Sequence, residues 1–177
     1  MKPPEKFLLA GVMGWPVMHS RSPLIHNYWL RKHQLTGVYV PLAIPPDGIV
    51  AALRALPALG FAGANITIPH KQTAMQAVDE VSEAARVIGA ISCVTVLSDG
   101  RLAGSNNDSF GFMRNLRATQ PDWYPGAGPV VVIGAGGGAR AVCFGLLQEG
   151  VREIRLVNRT YERAQQVAAA LGPAVHA

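Results

Sequence analysis

Apolar and polar positions along this 177-residue chain fall into blocks that read as strands and helices in alternation. Phe7 to Met13 is an apolar run of strand length, followed by a loop from Gly14 to Arg21. Ser22 is placed to cap a helix, Pro23 suits its first position, and Leu24, Ile25, Tyr28 and Trp29 make an apolar stripe at helical spacing. Val38 to Ile44 reads as a second strand, with Pro41 pointing to an edge or irregular position because it cannot donate to a ladder. Asp47 is expected to cap a helix ending near Leu56. Gly63 to Ile68 is a short apolar strand that Pro69 ends just before Lys71. Ser82 heads a further helix to about Gly89, and the apolar run Ala90 to Leu97 follows. Ser98-Asp99-Gly100 is a hairpin signal, so Arg101 to Ser105 returns as the partner strand. Asp108 or Ser109 opens a helix to about Ala118.

The stretch from Gln120 to Pro129, rich in Pro and Gly, reads as a boundary. Beyond it the apolar strand Val130 to Ile133 runs directly into Gly134-Ala135-Gly136-Gly137-Gly138-Ala139 and a helix through about Glu149. Strand, glycine turn and helix in that order are the dinucleotide-binding pattern, with Ala139 in the last small-residue place. Gly134 permits the tight turn, Gly136 lets backbone N–H groups reach a pyrophosphate, and the helix start adds partial positive charge. A second strand, Glu153 to Val157, and an amphipathic helix to about Leu171 complete the pattern.

The residues after that second strand bear on the cofactor. An NAD site places a carboxylate there for the ribose hydroxyl, whereas this chain has Asn158-Arg159-Thr160. An arginine with two hydrogen-bonding neighbours suits a 2′-phosphate, so NADP is expected. The plain alternative is that Arg159 decorates a surface loop.

Composition narrows the remaining classes. With 49% apolar and 15% charged residues, the chain has the balance of a globular protein and no disorder signature. No apolar run of transmembrane length and no leader pattern is visible, which makes a cytoplasmic location the expectation and a membrane partner unexpected. The formal charge of +5 is carried by scattered Lys and Arg without a nucleic-acid motif. Attraction of small anions accounts for the sign, and nucleic acid is not expected as a partner. Cys93 and Cys143 lie in apolar segments without metal-type spacing and read as buried free thiols. His19, His26, His33 and His70 are not arranged as ligands, so no metal site is expected; His70 is the histidine nearest the site-type residues.

Candidate chemistry concentrates at the end of the third strand. Asn65 and Thr67, two apart, share a strand face, and Lys71 follows past the Pro69 break. An amide, a hydroxyl and an ammonium near the carboxyl end of a strand suit a small polar ligand in an open α/β sheet. Taken singly, Lys71 is equally readable as a solvated residue at a helix start and Asp108 as an ordinary helix cap.

Ser20-Arg21-Ser22-Pro23 with His26-Asn27, Gly63 to Lys71, Gly104 to Asp108 with Gly111, Gly134 to Ala141, and Asn158-Arg159-Thr160 occur in one order and spacing. In these segments the chain resembles the shikimate dehydrogenase family, which includes shikimate/quinate dehydrogenases and their paralogues. The resemblance implies an α/β fold: an amino-terminal open α/β substrate domain over residues 1–119, followed by a Rossmann-type NADP-binding domain over residues 120–177, with the active site in the cleft between them. It implies reversible NADPH-dependent reduction of 3-dehydroshikimate to shikimate, a small carboxylated polyhydroxy ring. Ser20 and Ser22 would hold the carboxylate. Asn65, Thr67, Lys71 and Asp108 would hold ring hydroxyls, with Asn106 a further substrate-binding candidate, and Lys71 with Asp108 would carry catalysis, the ammonium stabilising negative charge on the ketone oxygen and delivering its proton. Glu83 and Arg163 match positions that can contact the cofactor.

The chain departs from the family pattern at one site position. Members usually read Gly-Ala-(Val/Ile)-Asn-Thr where this chain has Gly89-Ala90-Ile91-Ser92-Cys93, so Ser92 replaces an amide that would meet a substrate hydroxyl. One neutral hydrogen bond is worth roughly 0.5–1.5 kcal/mol, so the change bears on which ring is used more than on reaction class. A quinate or amino-substituted analogue is the near alternative, and a non-catalytic ligand-binding relative the distant one. The Rossmann unit is expected to be a fragment, with its nicotinamide end incomplete. A monomer and a homodimer both remain open.

Overall fold

A continuous apolar run, Leu8–Gly14, forms β1 at the interior of a six-stranded sheet. The computed structural model describes residues 7–177, so the first six residues of the expected substrate domain lie outside the described residues. Contacts divide the chain into two units: one runs to Val81 and resumes over Ile91–Ser105, and the other comprises Ser82–Ala90 with Asn106–Ala177. The helical segment 82–90 therefore packs with the second unit although strands of the first flank it in sequence.

In the first unit β1 is followed by α1 (Ser22–Lys32) and β2 (Gly37–Ala43), then α2 (Ile49–Ala55) and β3 (Phe61–Ile66). Both β2 and β3 pair with β1 in parallel, on opposite sides, so Gly11 lies between Val40 and Ala64. The chain thus leaves β1 to one side, returns across it, and creates a topological switch point between β1 and β3. β4 (Glu80–Val81), β5 (Cys93–Val96) and β6 (Leu102–Ser105) extend the sheet in the order β2-β1-β3-β5-β6-β4. β5 is antiparallel to both β3 and β6, and the two-residue β4 runs parallel to β6. Strands covered on both faces need apolar side chains throughout, and Val12, Met13, Ala64, Ile66 and Val94 are buried. The expected hairpin joins β5 to β6, with Gly100 in a left-handed conformation (φ +84) and its N–H donated to Leu97 O at 3.0 Å.

Several local expectations change. Arg21 is the residue before α1 and Ser22 its first residue. The free Ser22 N–H is taken by the Ser20 hydroxyl at 3.2 Å, so Ser20 does the work expected of Ser22. The stripe of Leu24, Ile25, Tyr28 and Trp29 is exposed. Instead α1 meets the sheet through His26, stacked on the Tyr39 ring at 4.1 Å, and through Asn27. The Asn27 amide donates to Tyr39 O at 2.8 Å and accepts Tyr39 N–H at 2.9 Å. Spacing identified the helix but not the face that docks. Asp47 sits inside a 3-10 turn, Pro46–Gly48, and Gly48 precedes α2. β3 ends at Ile66, leaving Thr67 in the turn that follows, and β4 had no sequence signal because two residues carry no periodicity.

The second unit contains α3 (Glu83–Ile88), α4 (Asp108–Thr119), β7 (Val130–Ile133), α5 (Gly137–Gln148), β8 (Ile154–Val157), α6 (Tyr161–Leu171) and β9 (Val175–His176). β7, β8 and β9 form a parallel sheet in that order. The short β9 was not anticipated from Gly172 to Ala177. Its core gathers Met113, Val132, Cys143, Leu146, Ile154, Leu156 and Val167, while Val131 and Ile133 on the other face of β7 are exposed. α3 packs on α5 through Ile88, Ala90 and Ala141. Its cap is as expected: the Ser82 hydroxyl accepts Ala85 N–H at 3.3 Å, and Gly89 ends it in the left-handed conformation (φ +71). Both cysteines are free thiols; burial pushes the Cys143 thiol up to about 11 and raises that of Cys93. Among the described residues no helix is long and apolar enough to cross a membrane.

β3 and β5 approach so closely at Gly63 that a Cβ there would lie 2.3 Å from Val94 O. Gly63→Ala must therefore push β5 off β3. We expect it to lower the stability of the fold by more than about 2 kcal/mol, read as a shift in the denaturant midpoint; an unchanged midpoint would refute the tight pairing.

Candidate active site

Three carboxyl-terminal strand ends in the first unit are tied together by backbone hydrogen bonds. Thr67 N–H donates to Met13 O at 2.9 Å, Trp15 N–H to Ile68 O at 3.0 Å, and Ile44 N–H to Gly14 O at 3.1 Å. The loop after β1 carries Ser20 and leads into Ser22, and the turn after β3 carries Thr67 and Lys71. Both segments leave the sheet at the switch point between β1 and β3, where open α/β sheets bind ligands. Their approach is close enough that a Cβ on Gly14 would lie 2.4 Å from Thr67 Cγ2. Glycine is needed at Gly14 for Thr67 to sit there.

The turn bearing Lys71 is held on three sides. His70, almost wholly buried, donates from Nε2 to Ile44 O at 2.8 Å, since a carbonyl only accepts. Thr67 O accepts His70 N–H at 2.9 Å, His70 O accepts Ala74 N–H at 2.8 Å, and Lys71 O accepts Ile91 N–H at 2.8 Å. The backbone of Lys71 is thereby fixed while its side chain remains half-buried. Ser92 follows Ile91, is buried, and donates its N–H to Ser105 O at 2.8 Å. Sequence reasoning placed His70 near the site; its role as the anchor of the turn is visible only in three dimensions.

Asn65 is engaged inside the protein. Its Nδ2 donates to Ser92 O at 3.4 Å, and its Oδ1 accepts the Tyr39 O–H at 2.7 Å. Tyr39 was missed in the sequence, where it is one more apolar residue of β2. Burial, with the nearby Cys93 sulfur adding to it, raises the Tyr39 phenol and keeps it protonated. Tyr39 and Asn65 also border a cavity of about 320 Å³ under α1, lined mainly by apolar groups such as Trp29, Leu30 and Val38. That cavity offers few partners to a hydroxylated acid, so the polar strand ends are the better candidate.

In the second unit Asn106 likewise uses both ends of its amide. Nδ2 donates to Ala90 O at 2.9 Å and Oδ1 accepts Asp108 N–H at 2.9 Å, so Asn106 ties the end of the α3 segment to the start of α4. Asp108 opens α4 and is half-buried, and Glu83 is exposed in the first turn of α3.

The glycine turn joins β7 to α5. Gly134 has φ +113 and donates its N–H to Val157 O at 2.7 Å. Ala135 follows, Gly136 precedes α5, and Gly137, Gly138 and Ala139 form its first turn. A Cβ at Gly134, Gly136 or Gly138 would meet no atom within 4 Å. Packing does not require glycine at Gly136 and Gly138, and close approach of a ligand to the backbone is the remaining reason. After β8, Asn158 Nδ2 donates to Thr160 O at 2.7 Å and shapes the turn that presents Arg159; Arg163, in the first turn of α6, is exposed like Arg159. A diphosphate and a 2′-phosphate fit this donor set. Arg140 on α5 was not singled out beforehand; its Nε is buried without a hydrogen-bond partner, and desolvation lowers its pKa.

Comparison with known proteins is decisive on family. Residues 12–94 match the shikimate dehydrogenase substrate binding domain, and residues 126–177 match shikimate / quinate 5-dehydrogenase. The chain belongs to the shikimate dehydrogenase family. Within this family, shikimate dehydrogenase (NADP(+)) of Rhodospirillum rubrum is 54% identical over 166 residues, covering 94% of this chain and 59% of that protein. Shikimate 5-dehydrogenase from Thermus thermophilus, solved in complex with NADP(H) and shikimate, superposes with a TM-score of 0.85 at 36% identity, covering 96% of this chain and 63% of that one. Quinate dehydrogenase from Corynebacterium glutamicum in complex with NAD gives a TM-score of 0.86 at 31% identity with the same coverage, 96% and 63%. The chain thus spans less than two thirds of the length of these relatives. The fold is the family's α/β architecture, a substrate-binding part followed by a Rossmann-like part.

Removing the Asn106 amide leaves Ala90 O and Asp108 N–H without these partners. Asn106→Ala is expected to cost about 1–3 kcal/mol in denaturant unfolding. Asn106→Asp, which keeps the acceptor for Asp108 N–H but loses the donor to Ala90 O, should also destabilise; neutrality of both variants would contradict the bridge.

Proposed function

We propose that the protein is an NADP-dependent dehydrogenase that interconverts 3-dehydroshikimate and shikimate. One observation supports the reading: the loop that carries Ser20 and the turn that carries Thr67 and Lys71 leave the sheet together at the β1–β3 switch point, in a chain whose second unit bears a glycine turn open to a dinucleotide. Residues 1–119 carry substrate binding and catalysis and residues 120–177 the cofactor site. Ser20 and Ser22 hold the carboxylate, with the hydroxyls near a helix start favouring an anion. Thr67 and Ser92 meet ring hydroxyls.

When bound, NADPH supplies the hydride that the ring ketone carbon accepts. Lys71 stabilises the negative charge developing on the ketone oxygen and gives that oxygen its proton, leaving a secondary alcohol. Asp108 receives the assignment of keeping the lysine charged or returning its proton. The glycine turn and the amino terminus of α5 hold the diphosphate, and Arg159 with Arg163 holds the 2′-phosphate. Ser92, where family members usually have Asn, favours a second reading in which quinate or an amino-substituted ring is the better substrate.

Lys71→Ala in the full-length gene product is expected to lower kcat by about 10²–10⁴ with a much smaller change in KM, measured from NADPH absorbance. Near-normal turnover would remove Lys71 from the chemistry. The wild type should prefer NADP to NAD, and Arg159→Ala should weaken that preference roughly 10–100-fold through loss of a charge-assisted contact. Equal use of both cofactors by the wild type would overturn the phosphate assignment. Assaying shikimate, quinate and an amino analogue with each cofactor tests the function itself: shikimate with NADP should give the highest kcat/KM, and no activity with any of them would defeat the reading.

A further inference from the structure

Asn65 has its carboxamide orientation decided by its neighbours. The Ser92 carbonyl can only accept, so the Asn65 atom facing it at 3.4 Å is Nδ2; the atom facing Tyr39 is then Oδ1, and at 2.7 Å the phenol must be the donor. Ser92 O also accepts Ile66 N–H at 2.9 Å, and Ser92 N–H is given to Ser105 O at 2.8 Å. Tyr39 is itself immobilised. Asn27 holds both its backbone N–H and its carbonyl, and His26 lies flat against its ring with an interplanar angle of 7°. Tyr39 is almost wholly buried, and its O–H is given to Asn65 Oδ1.

We propose that Tyr39 and Asn65 are positioning residues that set the backbone of Ser92, and with it the reach of the Ser92 hydroxyl toward the substrate ring. The relay runs from β2 through β3 to the turn before β5 within the first unit. It rests on the functional reading above, in which Ser92 occupies the place of a substrate-contacting amide. A serine side chain is short, so its contact depends on where the main chain puts it. A displacement too small to unfold the sheet is enough to lose the hydrogen bond. Asn65 then acts through Ser92 instead of serving first as a ligand itself, and the specificity of the protein depends on a tyrosine in the edge strand.

The test is a set of steady-state measurements on the full-length gene product with the best substrate of the panel. Tyr39→Phe should raise substrate KM by about 3–10-fold, with kcat within about twofold and the KM for NADP unchanged. Asn65→Asp, which places an oxygen against Ser92 O, should raise KM more than Asn65→Ala. In a Ser92→Ala background the effect of Tyr39→Phe should shrink to less than about twofold. Circular dichroism at the assay temperature keeps a folding defect apart from a recognition defect. An undiminished Tyr39→Phe effect without the Ser92 hydroxyl, or no effect on KM at all, would overturn the proposal while leaving the dehydrogenase reading intact. A wild type inactive toward the whole panel would instead overturn the functional reading on which the relay rests.

Discussion

The parallel register of β1 and β3 is the constraint on which the candidate site depends. Two backbone hydrogen bonds past the end of that register, Thr67 N–H to Met13 O and Trp15 N–H to Ile68 O, bring the loop after one strand against the turn after the other. Without them the loop that carries Ser20 and the turn that carries Thr67 and Lys71 would be unrelated surface segments. Gly14 has no Cβ because Thr67 Cγ2 fills that space, so a glycine in one strand end and a threonine beyond another are a single feature. His70, Ile91 and Ser92 extend the same logic: Thr67 O, His70 O and Lys71 O each accept a backbone N–H and the His70 ring is tied to Ile44 O, which fixes the main chain of the Lys71 turn.

The second unit solves a different problem with similar economy. A parallel β7-α5-β8 unit puts the α5 start at the carboxyl end of β7, and the open space around Gly134, Gly136 and Gly138 leaves backbone N–H groups approachable. Asn158 closes the turn after β8 on its own backbone, which presents Arg159 to solvent. Two exposed arginines, Arg159 and Arg163, therefore sit near the start of α6.

Much of this was legible in the sequence for physical reasons. Apolar runs bounded by glycine and proline gave β1, β3 and β7; cover on both faces accounts for the run in β1, whereas β7 is apolar although Val131 and Ile133 are exposed. Gly134 to Ala139 was readable because a diphosphate turn tolerates few other residues. What was not legible depends on contacts between distant segments. Helical spacing in α1 identified an apolar stripe, yet the helix docks through His26 and Asn27 and leaves Leu24, Ile25, Tyr28 and Trp29 exposed. Nothing local marks Tyr39 as the partner of Asn65, 26 residues away, or Asn106 as the bridge to Ala90. Two-residue strands such as β4 and β9 are too short to show a period at all.

The central claim is that this α/β arrangement performs hydride transfer to a ring ketone while Lys71 manages the proton. Transfer of deuterium from NADPH deuterated at nicotinamide C4 to 3-dehydroshikimate, followed by NMR on the full-length gene product, tests it most directly. The account predicts that the label appears on the ring carbon that was the ketone, with the hydroxyl proton drawn from solvent. Reduction without label at that carbon, or no reduction at all, would contradict it.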